Sequence, residues 1–211
     1  GNKPVITADG QNYTFDAVLY ATGRKPNTAN IGLENTDITT NERGAIVVND
    51  TCESSVPGVY AVGDVNGGPQ FTYISLDDFR IVFGALTGNS SYTLKDRKNI
   101  PYTTFLTPPL ARVGLTEEDA INKGYTVKTK EMLVATMPRA HVNDYLKGAF
   151  KIVVNADNDL ILGATLYSQG AEELINLIKM AMDNNIPYTY FKNQIFTHPT
   201  MAENLNDLCN F

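Results

Sequence analysis

The residues with the clearest capacity for chemistry are a histidine and a glutamate near the end of the chain. His198 is one of two histidines in the sequence, and Glu203 lies five residues after it, with Pro199 in between. Proline disfavours a helical residue before it, so we expect an extended segment to end at His198 and a helix to follow. That geometry can bring Glu203 to one ring nitrogen, where a carboxylate fixes the tautomer and leaves the other nitrogen to transfer a proton.

The same stretch has a second interpretation. Thr200 and Glu203 have the Thr-x-x-Glu spacing of a capping box, which would begin a helix over residues 201–208. On the local pattern alone, simple capping is favoured over the histidine pair by about two to one. We expect that one carboxylate cannot fully serve both partners, so the local pattern leaves both roles open.

Two glycine-containing stretches could approach a ligand. The apolar run 17–21 is followed closely by Gly23, and the apolar run 59–62 leads into Gly63 and Asp64. Continuous apolar runs are typical of strands buried on both faces, and α/β architectures bind ligands at the carboxyl ends of such strands. Asp64 could accept hydrogen bonds from a sugar or ribityl chain. The pattern favours equally a plain turn that Asp64 caps.

A helix is predicted to begin near Phe71 and Thr72 and to stop at Gly88. Apolar residues recur within it at alternating steps of three and four, which predicts a buried face; they are Leu76, Phe79, Phe83 and Leu86. The free N–H groups and positive dipole end at its start would suit an anion or an electron-rich carbonyl. Every helix has such an end, however, and most of them bind water.

The elements of the chain divide into two patterns on either side of a polar stretch, residues 89–99, where we place a domain boundary. Apart from the two runs above, the predicted strands are residues 5–7, 13–15, 45–48, 102–106, 125–130, 132–137, 149–154 and 160–167. A helix capped by Thr116 should end at Gly124, and another should span residues 171–184. In the latter, Leu177 and Met180 lie off the main apolar stripe, which is compatible with burial against another subunit.

Composition excludes several classes of protein. The net charge of −6 argues against a nucleic-acid or anionic-membrane partner, and no apolar stretch approaches the roughly 18 residues of a membrane span. No signal peptide is visible. Cys52 and Cys209, the two cysteines, form no CxxC pair and no disulfide scaffold, which fits a reducing, cytoplasmic setting.

Four motifs in this order resemble the C-terminal half of the flavin-dependent pyridine nucleotide-disulfide oxidoreductases, which include glutathione reductase, dihydrolipoamide dehydrogenase and mercuric reductase. They are residues 16–24 (DAVLYATGR), 59–64 (VYAVGD), 113–117 (VGLTE) and 198–203 (HPTMAE). The resemblance covers the whole chain. Residues 68–81 and 137–140 (MPRA) are most similar to the bacterial branch near mercuric reductase that includes hypothiocyanous acid reductases.

The resemblance implies the fold and the domain order. Residues 1–24 would end a nicotinamide-binding domain, residues 25–98 would form a central FAD-contacting domain, and residues 99–211 would form a dimerisation domain. The expected fold is therefore α/β in the first part and α+β in the second, with an antiparallel sheet and helices. The chain would work as a homodimer, with FAD and NAD(P)H as cofactors.

The resemblance also assigns the flavin-contacting residues. Gly63 and Asp64 match the motif whose aspartate binds the ribityl chain of FAD. Thr72, with Phe71 before it, matches the helix start whose N–H lies at the flavin pyrimidine edge. Gly23 matches a glycine close to the dinucleotides.

In the same comparison, His198 matches the acid/base and Glu203 the residue that orients it, so the resemblance favours the histidine pair over simple capping. The histidine would act in the other subunit, on a dithiol that FAD reduces. The oxidised substrate would be a disulfide or a sulfenyl-type compound. Arg139 and His141 are expected at the surface or an interface, with a substrate role open for Arg139.

The departures from the family pattern are two missing motifs. Neither a GxGxxG phosphate loop nor a Cys-x₄-Cys redox pair occurs in the 211 residues, and Cys52 and Cys209 cannot be assumed to replace the pair. Cys209 is favoured as an incidental small residue over a thiol relay by roughly four to one. We therefore expect a fragment that does not turn over alone. The alternatives are a natural non-catalytic dimerisation module and a flavoprotein oxidase or peroxidase with a single cysteine.

Overall fold

The computed structural model describes residues 3–211, and the chain divides into two units, residues 1–96 and residues 97–211. Unit 1 begins with an antiparallel hairpin of β1, Val5–Ala8, and β2, Gln11–Thr14. Asp9 and Gly10 in its turn both have positive φ, as two-residue hairpin loops require. The predicted hairpin is therefore confirmed, whereas the division of the first part at residue 24 stays a prediction.

The two apolar runs predicted as buried strands form no strand in unit 1. Leu19 and Tyr20 are 89% and 86% exposed, and residues 59–62 contribute only a single bridge, between Tyr60 and Glu53. The prediction for residues 17–21 and 59–62 is wrong in this structure because a buried strand needs hydrogen-bonded neighbours on its edges. No strand formed by residues 3–96 pairs with either run.

The long helix of unit 1 begins where it was predicted but buries a different face. This helix, α1, spans Thr72–Leu86 and buries Ile74, Asp78 and Ile81. The residues predicted to be buried are instead 50–66% exposed; they are Leu76, Phe79, Phe83 and Leu86. Periodicity identifies residues that share a face, but only a packed neighbour decides whether that face is covered.

Unit 2 is built on a five-stranded antiparallel sheet with the order β3-β4-β7-β6-β5. Its strands are β3 Tyr102–Thr104, β4 Leu110–Gly114, β5 Val127–Leu133, β6 Ala149–Asn155 and β7 Ile161–Tyr167. The predicted β6–β7 hairpin is confirmed. The two strands predicted over residues 125–137 are instead one strand, β5, followed by a short turn and the helix α3, Pro138–Val142, because proline suits the first position of a helix.

Four further helices surround the sheet of unit 2. They are α2 Glu117–Asn122, α4 Ala171–Asp183, α5 Tyr188–Asn193 and α6 Asn204–Leu208. The predicted Thr116 cap is confirmed, since its hydroxyl accepts the Asp119 N–H at 3.0 Å. The α5 helix was not predicted. No helix that residues 3–211 form is both long and apolar enough to cross a membrane.

The core of unit 2 lies between the sheet and α4. The predicted apolar stripe of α4 is buried, and it packs with alternating residues of β4, β6 and β7. Leu177, expected on a second side, packs at the edge of this same core, whereas Met180 is exposed. Leu205 and Leu208 of α6 are fully buried in the core as well. This burial fixes the helix next to which the candidate histidine lies.

Candidate functional site

His198 and Glu203 are in direct contact in unit 2. The distance between His198 Nδ1 and Glu203 Oε2 is 2.7 Å, and the histidine side chain is 68% exposed while the glutamate side chain is 18% exposed. An ionised carboxylate can accept hydrogen bonds but cannot donate them. This contact therefore assigns a proton to Nδ1. The other ring nitrogen, Nε2, has no hydrogen-bond partner among residues 3–211 and is available for proton transfer to a ligand.

The same glutamate also closes the capping box. Its Oε1 accepts the Thr200 N–H at 3.0 Å, and the Thr200 hydroxyl accepts the Glu203 N–H at 3.2 Å. The expectation that one carboxylate cannot serve both partners is wrong, because each of its two oxygens takes one of them. The helix itself begins at Asn204 rather than at residue 201. The Thr200–Glu203 hydrogen bonds therefore lie in the turn before α6 and hold the carboxylate in place for the histidine.

Two side chains distant in sequence attach the end of the chain to the rest of unit 2. Asn206 donates from Nδ2 to the carbonyls of Phe191 at 2.7 Å and Gln194 at 2.9 Å, which ties α6 to the segment that leads to His198. Lys130 on β5 donates to the carbonyls of Asp207 at 2.8 Å and Asn210 at 2.6 Å. A cation is favourable at a helix C-terminus. Neither contact had a signal in the sequence.

The hydrogen bond from His198 is the largest cause of the lowered pKa of the Glu203 carboxyl; burial opposes it, and the Thr200 N–H lowers the pKa by a smaller amount. A glutamate in an unfolded chain has a pKa of about 4.3. Because the folded pKa is lower, Glu203 stabilises the fold at pH values above the unfolded pKa. This contribution is lost as the pH falls through the folded pKa.

We therefore expect Glu203→Gln to lower the free energy of unfolding by an amount that depends on pH. The loss should be fully present above about pH 5 and should shrink between about pH 5 and pH 3, where the native carboxylate becomes protonated. Urea unfolding of both proteins over this range measures the difference. A loss that is the same at every pH would contradict the assignment of an ionised Glu203.

Cys209, next to α6, is a fully buried thiol. Burial raises the pKa of Cys209 to about 12, although the charge of Lys130 opposes this increase. Only about 10⁻⁴ of such a thiol is ionised at pH 8, and the thiolate is the reactive form. The structure therefore supports the interpretation of Cys209 as a structural residue.

We expect neither Cys52 nor Cys209, both fully buried, to react with a chromogenic disulfide reagent in the folded chain at pH 8. After unfolding in guanidinium, both thiols should react rapidly with the reagent. A Cys209→Ser variant assigns the signal to one position. Rapid reaction of one thiol in the folded protein, lost in that variant, would restore the relay interpretation.

In unit 1, the predicted Gly63–Asp64 turn is held against α1 by a buried carboxylate. Asp78 is fully buried, and its Oδ2 accepts the Gly63 N–H at 2.7 Å and Asn66 Nδ2 at 2.9 Å. Gly63 has φ +73°, and a Cβ added there would lie 2.6 Å from the hydroxyl oxygen of Ser75. Only glycine fits this close approach. Asp78 was not predicted as a site residue, although an aspartate between Ile74 and Ile81 on one helix stripe was a usable signal.

Of the remaining predicted ligand-contacting residues of unit 1, Phe71 is half-buried and the others are exposed. Asp64 is exposed, and no residue within 3–211 donates a hydrogen bond to its carboxylate. Phe71 is the N-cap of α1 without a side-chain cap, and Thr72 is the first helical residue. Gly23 has φ +105° and lies in an exposed segment. Asp78 thus joins the Gly63 turn to the middle of α1, whereas a Cβ added at Gly23 would contact nothing within 4 Å.

Comparison with known proteins identifies two domains. The profile of the pyridine nucleotide-disulphide oxidoreductase dimerisation domain matches residues 100–209, and the profile described as pyridine nucleotide-disulphide oxidoreductase matches residues 1–78. Escherichia coli RclA, described as a probable pyridine nucleotide-disulfide oxidoreductase, is 45% identical over 98% of this chain and 47% of its own length. Staphylococcus aureus mercuric reductase is 36% identical over 95% of this chain and 37% of its own.

A solved structure agrees with these matches. The structure of E. coli RclA, described as an HOCl-induced flavoprotein disulfide reductase, superposes with a TM-score of 0.94 at 44% identity, over 99% of this chain and 48% of that one. The chain therefore spans less than half the length of these relatives. The expected fold class and the resemblance drawn from the four sequence motifs are confirmed. The chain belongs to the pyridine nucleotide-disulphide oxidoreductase family, with the family's dimerisation domain over residues 100–209.

Proposed function

We propose that this chain is the flavin-contacting and dimerisation part of an FAD-dependent NAD(P)H:disulfide-type oxidoreductase. In this proposal His198 and Glu203 form an acid/base pair that acts on a dithiol of the partner subunit. The observation that carries the proposal is the 2.7 Å contact between His198 Nδ1 and Glu203 Oε2, beside an imidazole that is largely exposed. A histidine whose carboxylate partner fixes one nitrogen is suited to donate and accept a proton at the other.

The pair would move one proton in each exchange step. When a thiolate attacks an oxidised sulfur, a new bond to sulfur forms, and the bond to the leaving group breaks with its electron pair. The His198 imidazolium gives its Nε2 proton to that leaving group, and the neutral imidazole then takes a proton from the next thiol. Glu203 stays ionised throughout, in accordance with its lowered pKa, and holds the ring.

FAD is the cofactor that the family implies, and the residues of unit 1 fit it. The exposed carboxylate of Asp64 is a hydrogen-bond acceptor on a rigid turn. The turn is held by the buried Asp78 and by the close packing at Gly63. Asp64 would hold the ribityl hydroxyls, and the N–H of Thr72, after Phe71, would bind the pyrimidine edge. Gly23 would lie close to the dinucleotides. When bound, FAD supplies electron transfer from NAD(P)H to the disulfide.

A homodimer is the proposed assembly. The matched domain is described as a dimerisation domain, and large apolar side chains of unit 2 are exposed, among them Val142, Met180 and Tyr190. Such exposure is typical of surfaces that a partner covers. A disulfide or sulfenyl-type compound is the proposed substrate class, supported by the description of RclA as a disulfide reductase. The cytoplasmic setting stays a proposal too.

The proposal predicts that the 211-residue chain does not turn over alone, because it contains neither a GxGxxG loop nor a Cys-x₄-Cys pair. Absorbance at 340 nm with added FAD and NAD(P)H measures this directly. Oxidation of NAD(P)H by this chain would contradict it.

The intact mass of the native protein and its coding sequence upstream of Gly1 separate the alternatives. A polypeptide about twice this length, as in RclA, with both missing motifs would support the dithiol flavoenzyme. A single upstream cysteine would favour a flavoprotein oxidase or peroxidase. A native chain that begins near Gly1 would leave a non-catalytic dimerisation module.

A further inference from the structure

A cavity of about 700 Å³ lies on the sheet of unit 2, beside α2. Arg112 on β4, Thr165 on β7 and Lys151 on β6 lie side by side across three strands and line it. Their neighbours along each strand point into the core, so these three side chains project from the opposite face of the sheet. None of the residues that line the cavity belongs to the His198–Glu203 pair or to the Gly63–Thr72 stretch.

Arg112 forms no direct ion pair in this cavity, although the exposed Asp119 on α2 interacts electrostatically with it. Its Nε is buried without a hydrogen-bond partner, and no carboxylate among residues 3–211 forms an ion pair with its guanidinium. The guanidinium carbon lies 5.9 Å from the centre of the Tyr102 ring, which supports one face of the group. The planar fork of arginine matches the two oxygens of a carboxylate. A buried, unpartnered Nε is a donor that such a ligand would satisfy.

The other charges of the cavity limit the charge of the ligand. Lys151 is already paired with Glu117 at 2.7 Å, and Glu118 lies exposed at the rim. Arg112 is therefore the cation that remains for a ligand, with its charge partly offset by Asp119, and the acidic rim repels a second negative charge. A monoanion is favoured over a phosphate dianion.

The rest of the lining is apolar and would contact a hydrocarbon body; it includes Leu110, Leu115, Ile121 and Val153. Ile121 on α2 is largely exposed in the absence of a ligand, and an apolar group in the cavity would cover it. From these observations we propose that unit 2 binds a small monocarboxylate with an apolar body, held at Arg112 and packed against α2 and the sheet.

Benzoate and hexanoate are the probes that test this proposal. The purified protein is titrated with each probe, and binding is followed by isothermal calorimetry or by the NMR shifts of Arg112 and Ile121. We expect saturable binding with a dissociation constant on the order of 1 mM. Benzyl alcohol, which lacks the carboxylate, and inorganic phosphate should neither bind in the cavity nor displace benzoate.

Two variants distinguish a built site from a general surface effect. Arg112→Gln should weaken benzoate binding by about tenfold or more, since the charge and the fork are lost. Ile121→Glu leaves Arg112 in place and should abolish binding by adding a negative charge beside the ligand. Thermal unfolding of each variant confirms that it folds. The proposal would be overturned if benzoate binding did not saturate, if it were unchanged in either folded variant, or if phosphate displaced benzoate.

Discussion

Replacing His198 by glutamine should slow the turnover of the full-length enzyme by about 10²–10⁴-fold. Glutamine keeps a polar side chain of similar reach, but it cannot accept and return a proton near neutral pH. Glu203 would remain in its capping box with Thr200, so the fold of the segment should be preserved. Steady-state NAD(P)H-dependent reduction of a disulfide measures the loss.

The control for this variant is the other histidine of the chain. His141 contacts the Ala135 carbonyl through Nε2 at 2.8 Å and has no carboxylate partner among residues 3–211. His141→Gln should therefore keep turnover within about twofold of the unmodified enzyme. Stopped-flow measurement adds a second control, since NAD(P)H should reduce the flavin at an unchanged rate while reoxidation by substrate slows. Equal losses in both histidine variants would contradict the assigned role.

Leu205→Ala should lower the free energy of unfolding of unit 2 by about 2–5 kcal/mol. Leu205 is fully buried, and it lies on α6 two residues after Glu203. Its removal costs the burial of the side chain and leaves a cavity that the sheet and α4 cannot fill without moving. Urea unfolding followed by circular dichroism measures the change.

Leu133→Ala is the matched control, because Leu133 lies on β5 and is 57% exposed. The same chemical deletion at this position should change the free energy of unfolding by no more than about 0.5 kcal/mol. If the two variants lost similar stability, the described packing of α6 would be wrong. A selective loss at Leu205 would support the burial of α6 in the core of unit 2.

Two long-range contacts also link the segment that carries the histidine pair to the rest of unit 2. Asn206 holds the loop before His198, and Lys130 holds the end of α6, each through backbone carbonyls. The candidate site is therefore not a local motif alone. It is a short exposed segment that Asn206 of α6 ties to residues 191–194 and that Lys130 of β5 holds at the end of the chain.

The sequence by itself determined the features that depend on neighbours along the chain. The α4 helix, the β6–β7 hairpin and the Thr116 cap are set by periodicity, turn residues and hydrogen bonds within a few positions. The spacing of His198 and Glu203 belongs to this class as well, because five residues around a proline bring the two side chains together. Family membership also followed from the order of four short motifs.

Only the tertiary structure decided which surfaces are buried and how the carboxylates are used. The runs 17–21 and 59–62 are apolar enough for buried strands, yet no strand formed by residues 3–96 pairs with them. Asp78 anchors the Gly63 turn from 15 residues away, and Lys130 reaches Asp207 across 77. Glu203 serves both partners because its two oxygens face different groups. The burial of a side chain and the choice of its hydrogen-bond partners depend on atoms distant in sequence. Local sequence patterns do not contain that information.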